Sequence, residues 1–303
     1  MDSADAALVE LGRALRARGY DFVTVTPETH ARVLEREARP ARDLRDVFGW
    51  SRPFAEDLLP DELLRLARAA NVIRRDAGLF RSEVRFSSLG PHLYVHSAFP
   101  TLALDSVFFG PDTYRFAAFV ARSLGPCRCL VDVGCGAGAG GLSAAAFARR
   151  VVLADISPRA LRLAAVNAAL AGIEAELVES DVLAAVSGPV DAVIANPPYL
   201  RDSASRVYRD GGGRYGEGLS LRILRESLAR LEPGGRIALY TGTAIVGGQD
   251  RFRELAQKLC RDAGASFDYT ELDPDVFGGE LAERAYAEVE RIAAVGVVAV
   301  LPG

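Results

Sequence analysis

Several classes of protein are poorly served by this sequence. Cysteine occurs only four times in 303 residues, as Cys127, Cys129, Cys135 and Cys260, a C-x-C and two singletons that match neither a disulfide framework nor a zinc ribbon. The thiols are therefore read as reduced. No run reaches the ~20 apolar residues that a bilayer-spanning helix needs, and "MDSADAALVELGRALRARGYD" lacks a basic segment ahead of an apolar block, so neither a membrane span nor a secretory leader is expected. The expectation is a cytoplasmic chain with no membrane partner. A basic excess is missing as well: the formal charge is −4 and the pI near 5.6, which gives no global electrostatic reason to bind nucleic acid. Histidine is scarce, and His92 and His96 have no third ligand type at metal spacing, so no metal site is expected. Internal repeats and low-complexity runs are absent.

What is present is a globular composition. Half of the residues are apolar, enough for a sizeable core, and the length allows one large or two modest domains. Residues 1–82 carry Ala/Leu-rich helical patterns such as "AALVELGRALRARG" and "PDELLRLARAANVI", which predict an N-terminal helical domain. Its arginines are matched by acids, fifteen Arg against fifteen Asp plus Glu over residues 1–90, the balance of a solvated helical surface. Residues 83–110 alternate and are broken at Gly90-Pro91, which predicts a β-hairpin connector. From 111 to 303 strands alternate with helices. Strands are expected at 130–134, 151–156, 175–180, 191–196, 236–242, 266–272 and 292–301, with helices at 112–124, 139–149, 158–171, 217–231 and 249–263. Alternation at this spacing implies an α/β fold, a Rossmann-like seven-stranded mainly parallel sheet covered on both faces.

The first β-α unit, "LVDVGCGAGAGGLSAAA", runs from a buried strand into a glycine-rich turn and a small-residue helix. Gly134, Gly136 and Gly138 permit a tight turn and a close ligand approach. A bare G-x-G-x-G says little more. The following strand "VVLADI" narrows it, because it ends in Asp155, 17 positions after Gly138, where a carboxylate bonds both ribose hydroxyls. Asp132 lies inside the first strand. In a dinucleotide fold the third glycine sits three positions after the second, whereas Gly136 and Gly138 are two apart, a spacing that favours another adenosine-containing ligand.

This loop resembles the cofactor loop of class I S-adenosylmethionine-dependent methyltransferases. "ADISPRALRLAAVNAALAG", "ESDVL" and "NPPY" resemble the later motifs of that family in the expected order. The resemblance implies S-adenosyl-L-methionine as cofactor, with Gly134, Gly136 and Gly138 around its methionine end, Asp155 on the ribose and Asp181 at the adenine amine, and with Asp132 and Asn196 also among the cofactor-binding residues.

Asn196-Pro197-Pro198-Tyr199 follows the apolar run "DAVIA". Proline donates no backbone hydrogen bond and biases the preceding residue toward extended geometry, so the pair ends the strand in a stiff, carbonyl-rich turn. Amide and exocyclic aromatic nitrogens are poor nucleophiles because their lone pairs are delocalised. The Asn196 side-chain oxygen and the Pro197 carbonyl can both accept hydrogen bonds from one NH2 group, aiming its lone pair at a sulfonium methyl. Positive charge grows on the nitrogen during attack, so fixed carbonyl dipoles favour the transition state. Tyr199 offers a flat face for a planar acceptor. The tetrapeptide resembles the catalytic loop of methyltransferases acting on N6-adenine, N4-cytosine or the glutamine amide.

"RVYRDGGGRYGEGLSLRILRESLARLEPGG" and "FFGPDTYRF" resemble segments flanking that loop in release-factor glutamine N5-methyltransferases, and the likeness covers about residues 105–245. It implies a protein acceptor of the release-factor type. Two other acceptors stay open: an adenine in RNA or DNA, flipped or unpaired, and a small molecule with the helical domain as lid. Residues 1–82 and the C-terminal stretch 273–292 carry no motif that assigns them a role.

Overall fold

The computed structural model describes residues 1–202, 206 and 208–303. Four helices open the chain: α1 (Ser3–Ala17), α2 (Pro27–Arg36), α3 (Leu44–Phe48) and α4 (Asp61–Ala69). Their starts are written locally. The carboxylate of Asp2 accepts the Asp5 N–H at 2.8 Å, that of Asp43 accepts the Asp46 N–H at 2.8 Å, and Thr26 caps α2 with Pro27 in its first turn, each satisfying an amide that the helix itself leaves unpaired.

Two antiparallel hairpins follow, β1 (Ile73–Asp76) with β2 (Leu79–Ser82), and β3 (Val84–Leu89) with β4 (His92–Ser97). The second matches the hairpin expected over 83–110. The first falls inside the stretch expected to be helical. "IRRD" has no apolar alternation to announce a strand, and the reversal is made by Ala77 and Gly78, both at positive φ (48° and 86°), the geometry of a tight two-residue hairpin turn.

Beyond α5 (Pro111–Ser123) come β5 (Cys127–Val133), α6 (Ala139–Ser143), β6 (Ala148–Asp155), α7 (Pro158–Ala171), β7 (Glu176–Glu179), β8 (Ala192–Ala195), α8 (Gly218–Arg230), β9 (Arg236–Val246), the two-residue β10 (Gln249–Asp250), α9 (Arg251–Asp262), β11 (Asp268–Asp273) and β12 (Arg291–Val300). The main sheet has the order β11-β12-β9-β8-β5-β6-β7, with β10 paired to β9. The five strands from β9 to β7 are parallel, and β12 runs antiparallel to both β9 and β11. The expected mainly parallel architecture is present, and its strands lie within a few residues of their expected places.

One helix is much shorter than expected. Residues 139–149 are alanine-rich and read as helix throughout, yet α6 ends at Ser143 and Ala148 already opens β6. The parallel ladder pairs Cys127 with Ala148 and Cys129 with Arg150. Sheet hydrogen bonding there overrides a helix propensity worth only tenths of a kcal/mol per residue.

The N-terminal helices do not stand apart. Leu8, Leu11 and Leu15 of α1, Phe86, Tyr94 and Val95 of the second hairpin, and Leu163, Val166 and Leu170 of α7 belong to one continuous apolar core, which also takes in Cys135 and Ala137 of the glycine turn. The other face of the sheet is filled by α8 and α9.

Candidate active site

In an open parallel sheet the crevice lies beyond the carboxyl ends of the strands, where the chain order reverses. Here β5 is the point of reversal. The loops after β5, β6, β7 and β8 converge on one cavity of about 180 Å³, whose lining includes Asp132, Gly134, Gly136, Asp155, Asp181 and Asn196.

Gly134, Gly136 and Gly138 all have positive φ (69°, 54° and 76°), a region that costs L-residues steric strain and glycine almost nothing. A Cβ on Gly134 or Gly136 would meet no neighbour within 4 Å, so the turn leaves open space on the cavity side. Gly138 is different: its Cβ would come within 3.2 Å of Leu153 and 3.3 Å of Ala164. It serves close packing of the turn on β6 and α7, and it is not among the cavity-lining residues.

Asp155 is 9% exposed. Its Oδ2 accepts the Gly136 N–H at 2.8 Å and its Oδ1 the Ser157 N–H at 2.8 Å. Burial raises its pKa, opposed by those backbone donors. Both oxygens keep a further lone pair, so the carboxylate is already oriented and still able to accept two hydroxyls. Ile156 beside it is 56% exposed on the cavity wall, an apolar contact for a flat base. Asp132 sits deeper. Its Oδ2 accepts the Gly141 N–H at 2.7 Å, and burial pushes its carboxyl up to about 7. Asp181 is half exposed and held by Arg222 through two bonds of 2.8 and 2.9 Å, a partner the sequence does not disclose. A glycine cradle, a pre-set carboxylate pair acceptor and an apolar face fit S-adenosylmethionine. Among the described residues no group of three His, Cys, Asp or Glu is placed to hold a metal.

A second cavity of about 280 Å³ adjoins the first. Asn196, Pro197 and Pro198 line both, as do Phe108 and Tyr208. The remaining wall of the second is mainly apolar and aromatic, with Phe99, Leu102, Tyr199 and Phe277 among its members, and it also carries the charged Asp112, Arg206 and Arg209. The turn after β8 is thus the partition between two compartments.

Tyr199 is placed otherwise than as an open flat platform. It is buried, with its hydroxyl on Asp112, its ring edge-on to Phe277 at 5.9 Å between centroids, and its Cδ2 only 2.2 Å from where a Cβ on Gly242 would sit. Glycine at 242 is what lets the ring lie on the backbone of β9. Asp112 also accepts the Tyr240 hydroxyl at 2.8 Å. The stretch 273–292, unassignable from sequence, packs here. Tyr286 is buried, and its hydroxyl accepts the Arg201 N–H at 2.7 Å. Arg209 pairs with Glu280. Of the segment quoted from 206 onward, Val207 lies outside the described residues.

Residues 118–245 match the family model described as the methyltransferase small domain. The chain is 39% identical to release factor glutamine methyltransferase of Deinococcus radiodurans over 123 residues, 36% of this chain and 44% of that protein. It is 33% identical over 116 residues to ribosomal RNA small subunit methyltransferase C of Chromohalobacter salexigens, 38% of this chain and 32% of the relative. The crystal structure of wild-type Trm5b from Pyrococcus abyssi superposes with a TM-score of 0.53 at 14% identity, covering 81% of this chain and 72% of that one, a likeness of fold. The matched region is thus similar to a methyltransferase domain, and the fold and the ordered motifs resemble the class I S-adenosylmethionine-dependent methyltransferases. Within that class the chain resembles the release-factor glutamine methyltransferases, and it spans about half the length or less of the curated relatives first matched.

Proposed function

We propose that the protein transfers a methyl group from S-adenosylmethionine to a side-chain amide nitrogen, best read as a glutamine of a protein of the release-factor type. The observation that carries this is the partition: Asn196-Pro197-Pro198 faces the glycine-lined cavity on one side and a mainly apolar, aromatic cavity on the other. Bound in the first cavity, the cofactor supplies an electrophilic methyl on a sulfonium. Gly134 and Gly136 admit its methionine end, the oriented Asp155 accepts from the ribose, and Asp181 lies toward the base. In the second cavity the Asn196 oxygen and the Pro197 carbonyl accept the two N–H bonds of the acceptor amide. That fixes the plane of the amide and turns its lone pair toward the methyl. The same dipoles stabilise the positive charge that grows on nitrogen. The nitrogen's surplus proton leaves to water, so no strong base is required.

The N-terminal segment, residues 1–82, reads as the acceptor selector, acting with the hairpin connector 83–110 ahead of the methyltransferase domain 111–303. Pro27 of α2 lines the second cavity, and His30 stacks on Phe99 of its wall at 4.0 Å between centroids. Four unpaired cysteines fit a reducing, cytoplasmic setting.

A second reading, an exocyclic amino group of RNA, is favoured by the likeness to the ribosomal RNA methyltransferase and by a turn that suits any planar NH2 donor. One experiment separates them. The protein is incubated with radiolabelled S-adenosylmethionine and, separately, purified release factor, ribosomal RNA and a small-molecule extract. Label on release factor, mapped by mass spectrometry to a methylated glutamine, supports the first reading. Label on RNA or in the small-molecule fraction with none on protein defeats it.

A further inference from the structure

The partition needs something to hold it still. Asn196 follows directly on β8, and only Pro197 and Pro198 separate it from Tyr199. Their fixed φ angles leave that two-residue link few conformations, so the position of Tyr199 constrains that of Asn196. Tyr199 is gripped by Asp112, in the first turn of α5. One carboxylate oxygen accepts the Tyr199 hydroxyl; the other accepts the Tyr240 hydroxyl at 2.8 Å and Arg115 Nη1 at 3.1 Å. Arg115 reaches on to Asp273 of β11 at 2.8 Å. The Asp112 side chain is 5% exposed, and the start of α5 is itself fixed, since the Gly110 N–H donates to Thr113 Oγ1 at 3.2 Å. A carboxylate in the first turn also meets the positive end of the helix dipole.

We propose that Asp112 is a positioning residue for methyl transfer: through the Tyr199 hydroxyl and the two prolines it sets where Asn196 stands between the two cavities. This rests on the amide-methylation reading for its kinetic test, and on geometry alone for its structural one. Asp112 also lines the second cavity, but the role assigned to it acts through Tyr199 and includes no proton transfer.

Four variants test it: Tyr199→Phe, Asp112→Asn, the double variant, and Tyr240→Phe, which removes the other tyrosine hydroxyl from the same carboxylate. For the acceptor identified by labelling, kcat is expected to fall on the order of tenfold in Tyr199→Phe, the scale of a small misplacement at the reacting centre. The KM for cofactor should hold. Asp112→Asn should fall similarly, and the double variant no further than either single, because both act through one contact. Tyr240→Phe should keep the parent kcat even where it lowers the melting temperature. A merely structural carboxylate would show losses in kcat that track thermal stability equally across both tyrosines, and that pattern, or Tyr199→Phe at the parent rate, overturns the proposal. Crystal structures of Tyr199→Phe and Tyr240→Phe decide it even for a parent enzyme inactive on every acceptor tried. Displacement of Asn196 in the first and not the second supports the clamp; an unmoved Asn196 in Tyr199→Phe refutes it.

Discussion

Asn167 of α7 holds the main chain of Val95 in β4 by both ends of its amide: Oδ1 accepts the Val95 N–H at 2.7 Å, and Nδ2 donates to the Val95 carbonyl at 3.0 Å. The same Nδ2 donates to the carbonyl of Ala137, in the glycine turn, at 2.8 Å. A single side chain, wholly buried, therefore ties the hairpin, the cofactor loop and the helix behind it into one unit. Asn167→Ala leaves one backbone donor and two carbonyls without partners in the interior, and a stability loss on the order of 3 kcal/mol is expected. Asn167→Asp keeps the bond to the Val95 N–H but sets an oxygen against two carbonyls, and should lose at least as much. Urea unfolding of both variants measures this; parental stability in either removes Asn167 as the tie.

Asp155→Ala removes the pre-oriented carboxylate proposed to accept the ribose hydroxyls. Cofactor affinity is expected to drop by roughly 1.5–3 kcal/mol, the scale of hydrogen bonds to a charged group. Isothermal titration calorimetry, run with a chelator present throughout, reads the loss and at the same time checks that the parent binds without a metal. Since the carboxylate also holds the Gly136 and Ser157 amides, the variant should melt earlier as well. Equal affinity in a folded variant would take Asp155 out of the site.

Asn196→Ala should leave cofactor binding nearly intact and lower turnover by about 10²–10³, the effect of deleting one oriented electrostatic group at the reacting atoms. Single-turnover assays, with calorimetry on the same preparation, separate the two quantities. Turnover at the parent rate would reduce the Pro-Pro turn to architecture.

Asp132 links stability to pH. Burial pushes its carboxyl up from 3.8 to about 7, with the Gly141 N–H opposing. Between those values the folded chain keeps a proton that the unfolded chain has released. The stability contribution is therefore full below the unfolded pKa and lost as pH rises through about 7. Asp132→Asn cannot titrate, so its melting temperature relative to the parent should climb from about pH 4 to about pH 8. A pH-independent difference would contradict the assignment.

The strands and the four loops around the first cavity were legible because each is a local statement. A glycine at positive φ, an acid at a strand end or a Pro-Pro stop constrains its own few residues, and the sequence shows them in order. The hairpin from Ile73 to Ser82 was hidden because "IRRD" lacks alternation and Ala77-Gly78 is a weak turn signal. The end of α6 was hidden because strand pairing with Cys127 decided it. The environment of the turn was hidden for a third reason. Asp112, Tyr240, Gly242, Phe277 and Tyr286 meet Tyr199 or its neighbours across long stretches of chain, and nothing in the local spelling of any of them names its partner. Asp112 was visible only as an acid in a resembling motif, and the pairing of Asp181 with Arg222 not at all.

β12 lies between β9 and β11 in the sheet but follows both in the chain, and Phe277 and Tyr286 arrive only on the way to it. A nascent chain that has already made the glycine turn, Asp155 and the Asn-Pro-Pro partition thus has the groups proposed to touch cofactor and acceptor. It still lacks Phe277 against Tyr199 and Tyr286 against Arg201, and the edge of β9 that β12 pairs is open until synthesis reaches residue 300. Part of what braces the proposed site is thus encoded in a later third of the polypeptide than the site itself, and the site is fully supported only when that third closes over the earlier one.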